Sequence, residues 1–166
     1  MSDIRLCRSD ERQAVLAIIN DAAQAYRGVI PADCWHQPYM SARDLDRELG
    51  AGVEFWGYES QGELAGVMGI QPVRDVDLIR HAYVLPARQR HGVGAALLTH
   101  LKGLSARRML VGTWSAAAWA IRFYQRHDFQ LLPAGRTRAL LETYWTITDR
   151  QMQTSVVLAN PPFEDA

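Results

Sequence analysis

Hydrophobic and polar positions along the chain switch between a two-residue and a 3.6-residue repeat. Ile4 to Arg8 alternates apolar with polar, which predicts a short strand. Ser9 or Asp10 can then cap a helix whose apolar residues Ala14, Val15, Ile18, Ile19 and Ala22 fall on one side. Residues Tyr26 to Tyr39, with Gly28, Pro31 and Pro38, read as irregular, and Ser41 stands where a cap would open a second helix ending at Gly50. Val53–Ser60 and Leu64–Gln71 are the two arms of a hairpin turning at Gln61-Gly62. Leu78–Leu85 predicts another strand, stopped by Pro86. A helix opens near Gly92, with Val93, Leu97, Leu101 and Leu104 as its buried stripe. Met109–Trp114 predicts a strand, Ala116–His127 a helix, Phe129–Leu132 a strand, Thr137–Tyr144 a helix and Ser155–Ala159 a last strand. This order implies an α/β (α+β mixed) domain, a mixed sheet with helices on both faces.

Composition narrows the class. The 166 residues suit one domain, here residues 1–159, with a loose tail at 160–166 (NPPFEDA). Eighteen basic and eighteen acidic side chains cancel, which argues against a dedicated nucleic-acid binder. No apolar run reaches the roughly 18 residues of a membrane span. The first residues lack the apolar centre of a signal peptide. Cys7 and Cys34 make no disulfide framework, and no His/Cys spacing suggests a metal site. A cytoplasmic location is the expectation.

The sharpest local feature is Gln89-Arg90-His91-Gly92-Val93-Gly94, set between a strand and a helix. Without Cβ atoms, Gly92 and Gly94 let a ligand approach the backbone. The first N–H groups of the helix lack intrahelical acceptors, and its dipole favours an anion there. A pyrophosphate suits such a place; so does a tight turn with no ligand. Leu97 stands where a dinucleotide fingerprint needs its third glycine, and no Gly-Lys-Ser/Thr follows, so neither common nucleotide motif applies.

The hexapeptide resembles the GNAT acetyltransferase pattern (Arg or Gln)-x-x-Gly-x-(Gly or Ala), preceded by the strand His81–Pro86 and followed by Ala95-Ala96-Leu97-Leu98. A second block is similar to the next motif of that superfamily: Leu110–Trp114, then Ile121-Arg122-Phe123-Tyr124, then His127-Asp128-Phe129. The resemblance spans roughly residues 3–159 and implies a GNAT fold: a mostly antiparallel mixed sheet of about seven strands. It implies acetyl-CoA as acyl donor, its pantetheine along Tyr83, Val84 and Leu85 with main-chain bonds at Val84 and Leu85. The pyrophosphate would sit on backbone N–H groups of Arg90, His91, Gly92, Val93, Gly94 and Ala95, with Gln89 also among the cofactor-binding residues. Ala117, Ala120, Phe123 and Tyr124 would wall the cofactor, and Tyr124 would protonate the departing thiolate. A homodimer is a further implication. Two positions depart from the family: Ala117 replaces the usual Asn, and Asp128 the usual Gly.

His81, titrating near neutrality, is the first candidate for the base, with a structural role in the sheet as the alternative. Strand alternation puts it on one face with Tyr83, and Ala82 and Val84 on the other. Tyr26, Arg27, Trp35 and His36 are candidates to bind the acceptor, an apolar or aromatic amine bearing a carboxylate that pairs with Arg27, with a loop pinned to the core by its aromatics as the alternative. The expected activity is N-acetyltransfer to a small-molecule amine. The rivals are acetylation of a protein N-terminus or lysine, and acyl-CoA sensing without turnover.

Overall fold

A computed structural model describes residues 2–164. Strand β1 (Ser2–Leu6) leads through a 3-10 turn, Ser9–Glu11, into α1 (Arg12–Ala23). Neither Ser9 nor Asp10 supplies the expected cap. Glu11 stands at the N-cap without a side-chain bond to the helix; its carboxylate instead accepts the Arg8 backbone N–H at 2.7 Å and is held by Arg5 from β1 at 2.9 Å. Helix α2 (Ala42–Gly50) opens as its sequence predicts, with Ser41 and Asp44 exchanging side-chain-to-backbone hydrogen bonds of 3.1 and 3.0 Å. Strands β2 (Glu54–Ser60) and β3 (Glu63–Val73) meet at Gln61 and Gly62, both at positive φ, which matches the twist of a tight hairpin. Then come β4 (Val76–Val84), α3 (Val93–Leu104), β5 (Arg108–Trp114) and α4 (Ala118–Arg126). The chain ends with β6 (Gln130–Leu131), α5 (Ala134–Tyr144), α6 (Asp149–Gln153) and β7 (Ser155–Asn160). The short α6, capped by Thr148, gives no apolar period and was not predicted.

The strands form one sheet in the order β1-β2-β3-β4-β5-β7-β6, antiparallel except where β4 and β5 run parallel. Alternation along β3 sends Met68 and Ile70 toward α3 and α4, and Val67 toward α1 and α2. A third apolar cluster joins Leu78, Leu110 and Val157 to Leu141 of α5. Part of the expected loose tail is held: the Phe163 ring lies between the guanidinium groups of Arg108 and Arg136, 4.0 and 4.1 Å from its centroid. Residues 165 and 166 of that tail lie outside the described residues.

What positions the site is an interruption in the sheet. Pairing of β4 with β5 stops at Ile79 opposite Val111. Beyond it β4 continues along β3, whereas Gly112–Trp114 of β5 follow β7. At the parting, His81 has φ +55° and the β3–β4 register slips between Val67 and Gly69. This is a β-bulge, which bends a strand and sharpens its twist. Gly69 sits opposite it because a Cβ there would lie 2.8 Å from the Arg80 carbonyl oxygen.

Candidate active site

Two cavities open into the gap and share Tyr26, Ala82, Tyr83 and Tyr124. The smaller, about 230 Å³, runs from this junction past Val84 and Gln89 to Gly94, with Trp119, Ala120 and Phe123 on the α4 side. The larger, about 350 Å³, extends toward Glu48, Arg80 and His81 on one side, and toward Trp145, Gln151 and Ser155 on the other.

The smaller cavity fits a phosphate-bearing thioester. Gly92 precedes α3 at φ +80°, and the Ala96 N–H makes the first helical bond, 3.0 Å to the Gly92 carbonyl. The N–H groups of Val93, Gly94 and Ala95 precede that bond and have no acceptor within the helix. Arg90 and His91 are exposed beside them. Phe123 packs 3.4 Å from where a Gly94 Cβ would stand, so Gly94 lets α3 and α4 approach. Gln89 turns back and donates to the Val84 carbonyl at 3.1 Å, tying loop to strand rather than presenting its amide to an anion. The Leu85 N–H already donates to Ala65 at 2.9 Å. Since strand residues alternate in the direction of their backbone groups, Val84 instead faces the gap. Of the expected pair, Val84 alone has its N–H turned toward the gap. Ala117 is fully buried at the start of α4, away from both linings.

At the junction, Tyr124 is 6% exposed, with Phe123 and Phe129 against its ring. Burial, reinforced by Tyr26, raises its phenol far above the ordinary range, so it stays protonated. Burial likewise pushes Tyr26 up to about 12, with hydrogen bonding to Thr113 opposing. Tyr39 is presented to the larger cavity because Asn20 clamps the backbone of Met40, at 2.8 and 2.9 Å. His81 stacks on Phe55, and its Nε2 lies 3.5 Å from the Glu48 carboxylate. Burial, with Arg80 adding to it and Glu48 opposing, keeps the imidazole below its usual pKa and therefore neutral near pH 7. His81 and Tyr83 do share a face, but the bulge turns Arg80 the same way as His81, which strict alternation forbids.

Of the residues expected to bind the acceptor, Tyr26 lines the cavity. Arg27 and His36 are exposed and outside it, and Trp35 packs behind Tyr39. The cavity's cation is instead Arg80, which donates to Gln71 at 2.8 Å and to Glu48 at 3.3 Å, so the anchor imagined for an acceptor carboxylate is already neutralised. Glu48 was missed, although it stands three residues after buried Leu45 and hence on the inner side of α2. Thr113, Trp145, Gln151 and Ser155 carried no chemical signal. Gly112 leaves room for the Trp145 ring, 3.3 Å from where its Cβ would be. Among the described residues no His/Cys/Asp/Glu group could hold a metal ion, and no helix is long and apolar enough to cross a membrane.

The family described as acetyltransferase (GNAT) domain matches residues 51–131, which span the hairpin, the glycine loop before α3, and α4. Residues 51–131 of this chain thus match a GNAT acetyltransferase domain. Such domains take acetyl-CoA as acyl donor, and the residues around the smaller cavity fit that co-substrate. Solved structures agree on the fold. A GNAT-family acetyltransferase of Staphylococcus aureus Mu50 is 16% identical, with a TM-score of 0.71 over 96% of this chain and 98% of its own. The PaiA N-acetyltransferase of Thermoplasma acidophilum, in complex with coenzyme A, is 13% identical at the same TM-score and coverage. The ribosomal-protein-S18-alanine N-acetyltransferase of Escherichia coli is 19% identical, TM-score 0.68, over 100% and 99% of the two chains. No curated protein matches this chain in sequence.

Proposed function

We propose that the protein transfers the acetyl group of acetyl-CoA to an amine of a small molecule, by direct attack in a ternary complex. The observation that carries the small-molecule reading is how the larger cavity is walled. Its lining comes both from the Tyr26–Tyr39 region and from the Trp145–Ser155 region, and Arg150 joins α6 to Asp33 at 3.0 Å. A volume of about 350 Å³ enclosed from two sides suits a compact amine better than a peptide chain.

The roles follow from placement. The Val84 N–H, facing the gap, polarises the thioester carbonyl. Neutral His81 accepts the proton that the acceptor nitrogen loses. Tyr124, at the junction, donates its phenolic proton to the leaving thiolate, and its raised pKa keeps that proton in place until it is needed. Acetyl-CoA supplies the activated acetyl group. The reading includes a cytoplasmic location, where Cys7 and Cys34 stay reduced, and assembly as a homodimer.

A second reading, acetylation of a protein N-terminus, has one observation in its favour: the full-length likeness to the Escherichia coli enzyme named for ribosomal protein S18 alanine. Calorimetry with acetyl-CoA, and with Gly92→Val and Gly94→Val as controls, tests the donor site; micromolar binding lost in both variants is expected, and its absence sinks the reading. Acetylation of benzylamine, 2-phenylethylamine or 1,4-diaminobutane in preference to a peptide beginning with alanine supports the small-molecule acceptor. The reverse preference selects the second reading.

A further inference from the structure

Three side chains form a continuous line behind His81. Gln71 donates to the Ala51 carbonyl at the end of α2, at 3.0 Å. Arg80 donates to Gln71 at 2.8 Å and to the Glu48 Oε1 at 3.3 Å. The same Glu48 oxygen lies 3.5 Å from the His81 Nε2, which is buried and has no other partner among the described residues. Arg80, Glu48 and His81 have side chains only 16–22% exposed. The juxtaposition depends on the bulge, because Arg80 and His81 are neighbours in one strand and reach the same carboxylate only where alternation is broken. Phe55 fixes the opposite side of the imidazole by stacking, with ring centroids 6.0 Å apart. The charged groups acting on His81 are Glu48 from α2 and Arg80 from its own strand; on the same face burial raises the Tyr83 phenol and keeps it protonated.

We propose that Glu48 acts through His81 as a positioning residue. Its carboxylate, locked by Arg80, faces Nε2 and stabilises the imidazolium formed when the other ring nitrogen, Nδ1, takes the acceptor's proton. The inference rests on His81 being the base in the transfer proposed above. The balance is simple: the acceptor nitrogen loses a proton to Nδ1 and forms the N–C bond. The C–S bond breaks, and the thiolate takes the Tyr124 proton. Glu48 changes no bond; burial works to raise its carboxyl, but bonding to His81 and the charge of Arg80 outweigh this and hold it ionised.

The test compares kcat and KM against pH for the wild type, Glu48→Gln, Glu48→Asp and His81→Gln, using whichever probe amine is acetylated. In Glu48→Gln, kcat falls by about tenfold, a part of what a positioned base contributes. The acidic limb of kcat/KM moves to lower pH, because the neighbour that favours imidazolium is gone. Acetyl-CoA affinity is unchanged, and Glu48→Asp recovers part of the rate. A limb that stays in place, or a kcat within twofold of wild type, overturns the proposal. Failure of the underlying reading looks different: His81→Gln keeps full kcat, and both ideas fall. Should no probe amine react, histidine-labelled NMR of the acetyl-CoA complex decides. The Glu48→Gln exchange must lower the His81 titration or remove it, and identical His81 spectra across pH overturn the proposal.

Discussion

Gly69→Ala tests the link between the bulge and the site most directly. The added Cβ would lie 2.8 Å from the Arg80 carbonyl oxygen and 2.8 Å from the Val53 Cγ1. A carbon and a carbonyl oxygen ordinarily settle at about 3.3–3.6 Å, so roughly half an ångström must be found. Val53 is 2% exposed and β-branched, so it cannot swing aside. The Arg80 carbonyl belongs to the strand backbone and carries His81 with it. Overpacking of this kind costs about 1–3 kcal/mol. For a chain of this size that is a fall in melting temperature of about 2–4 °C per kcal/mol. Gly103→Ala, at a helical glycine with open space around it, is the control and should gain up to about 1 kcal/mol. Thermal unfolding followed by circular dichroism reads both. Acetyl transfer by Gly69→Ala should fall further than acetyl-CoA binding, since His81 moves while the phosphate loop does not. A Gly69→Ala melting point equal to or above wild type would refute the reasoning.

Three further outcomes are expected. Tyr124→Phe should lower kcat by about 10²-fold or more with acetyl-CoA affinity intact, because the ring still packs between Phe123 and Phe129; an unchanged kcat in a steady-state assay removes Tyr124 as the acid. Ser41→Ala should cost about 1 kcal/mol in urea denaturation, through loss of the hydroxyl that accepts the Asp44 N–H. Hydrogen bonding from Arg5 lowers the Glu11 carboxyl from 4.5 to about 2. A lowered folded-state pKa means that its contribution is fully present above pH 4.5 and is lost as pH falls through about 2. Stability measured across that window should therefore decline more steeply for wild type than for Glu11→Gln, and parallel curves would exclude the linkage.

Local pattern alone determined much of this protein. The elements, the Ser41 cap, the Gln61-Gly62 turn and the glycine loop before α3 each depend on neighbours within a few residues, where steric and hydrogen-bonding rules act directly. The two motifs were legible for the same reason. Their separation along the chain points to the stretch from Val84 to Tyr124 that lines the smaller cavity. The acceptor side was decided by tertiary structure. Arg27, Trp35 and His36 offered suitable chemistry but lie outside the cavity, because Asn20 pins Met40 and turns Tyr39 inward instead. Glu48, one acid among several on a polar helix, gained meaning only where α2 crosses the bulge in β4. The bulge itself has no sequence signature, since it arises from two residues of β4 facing one of β3 beside a glycine in another strand. The splayed strands and the walls of the cavity come from pairings between segments distant along the chain. Such contacts depend on which surfaces the whole fold brings together, and no window of neighbouring residues contains that information.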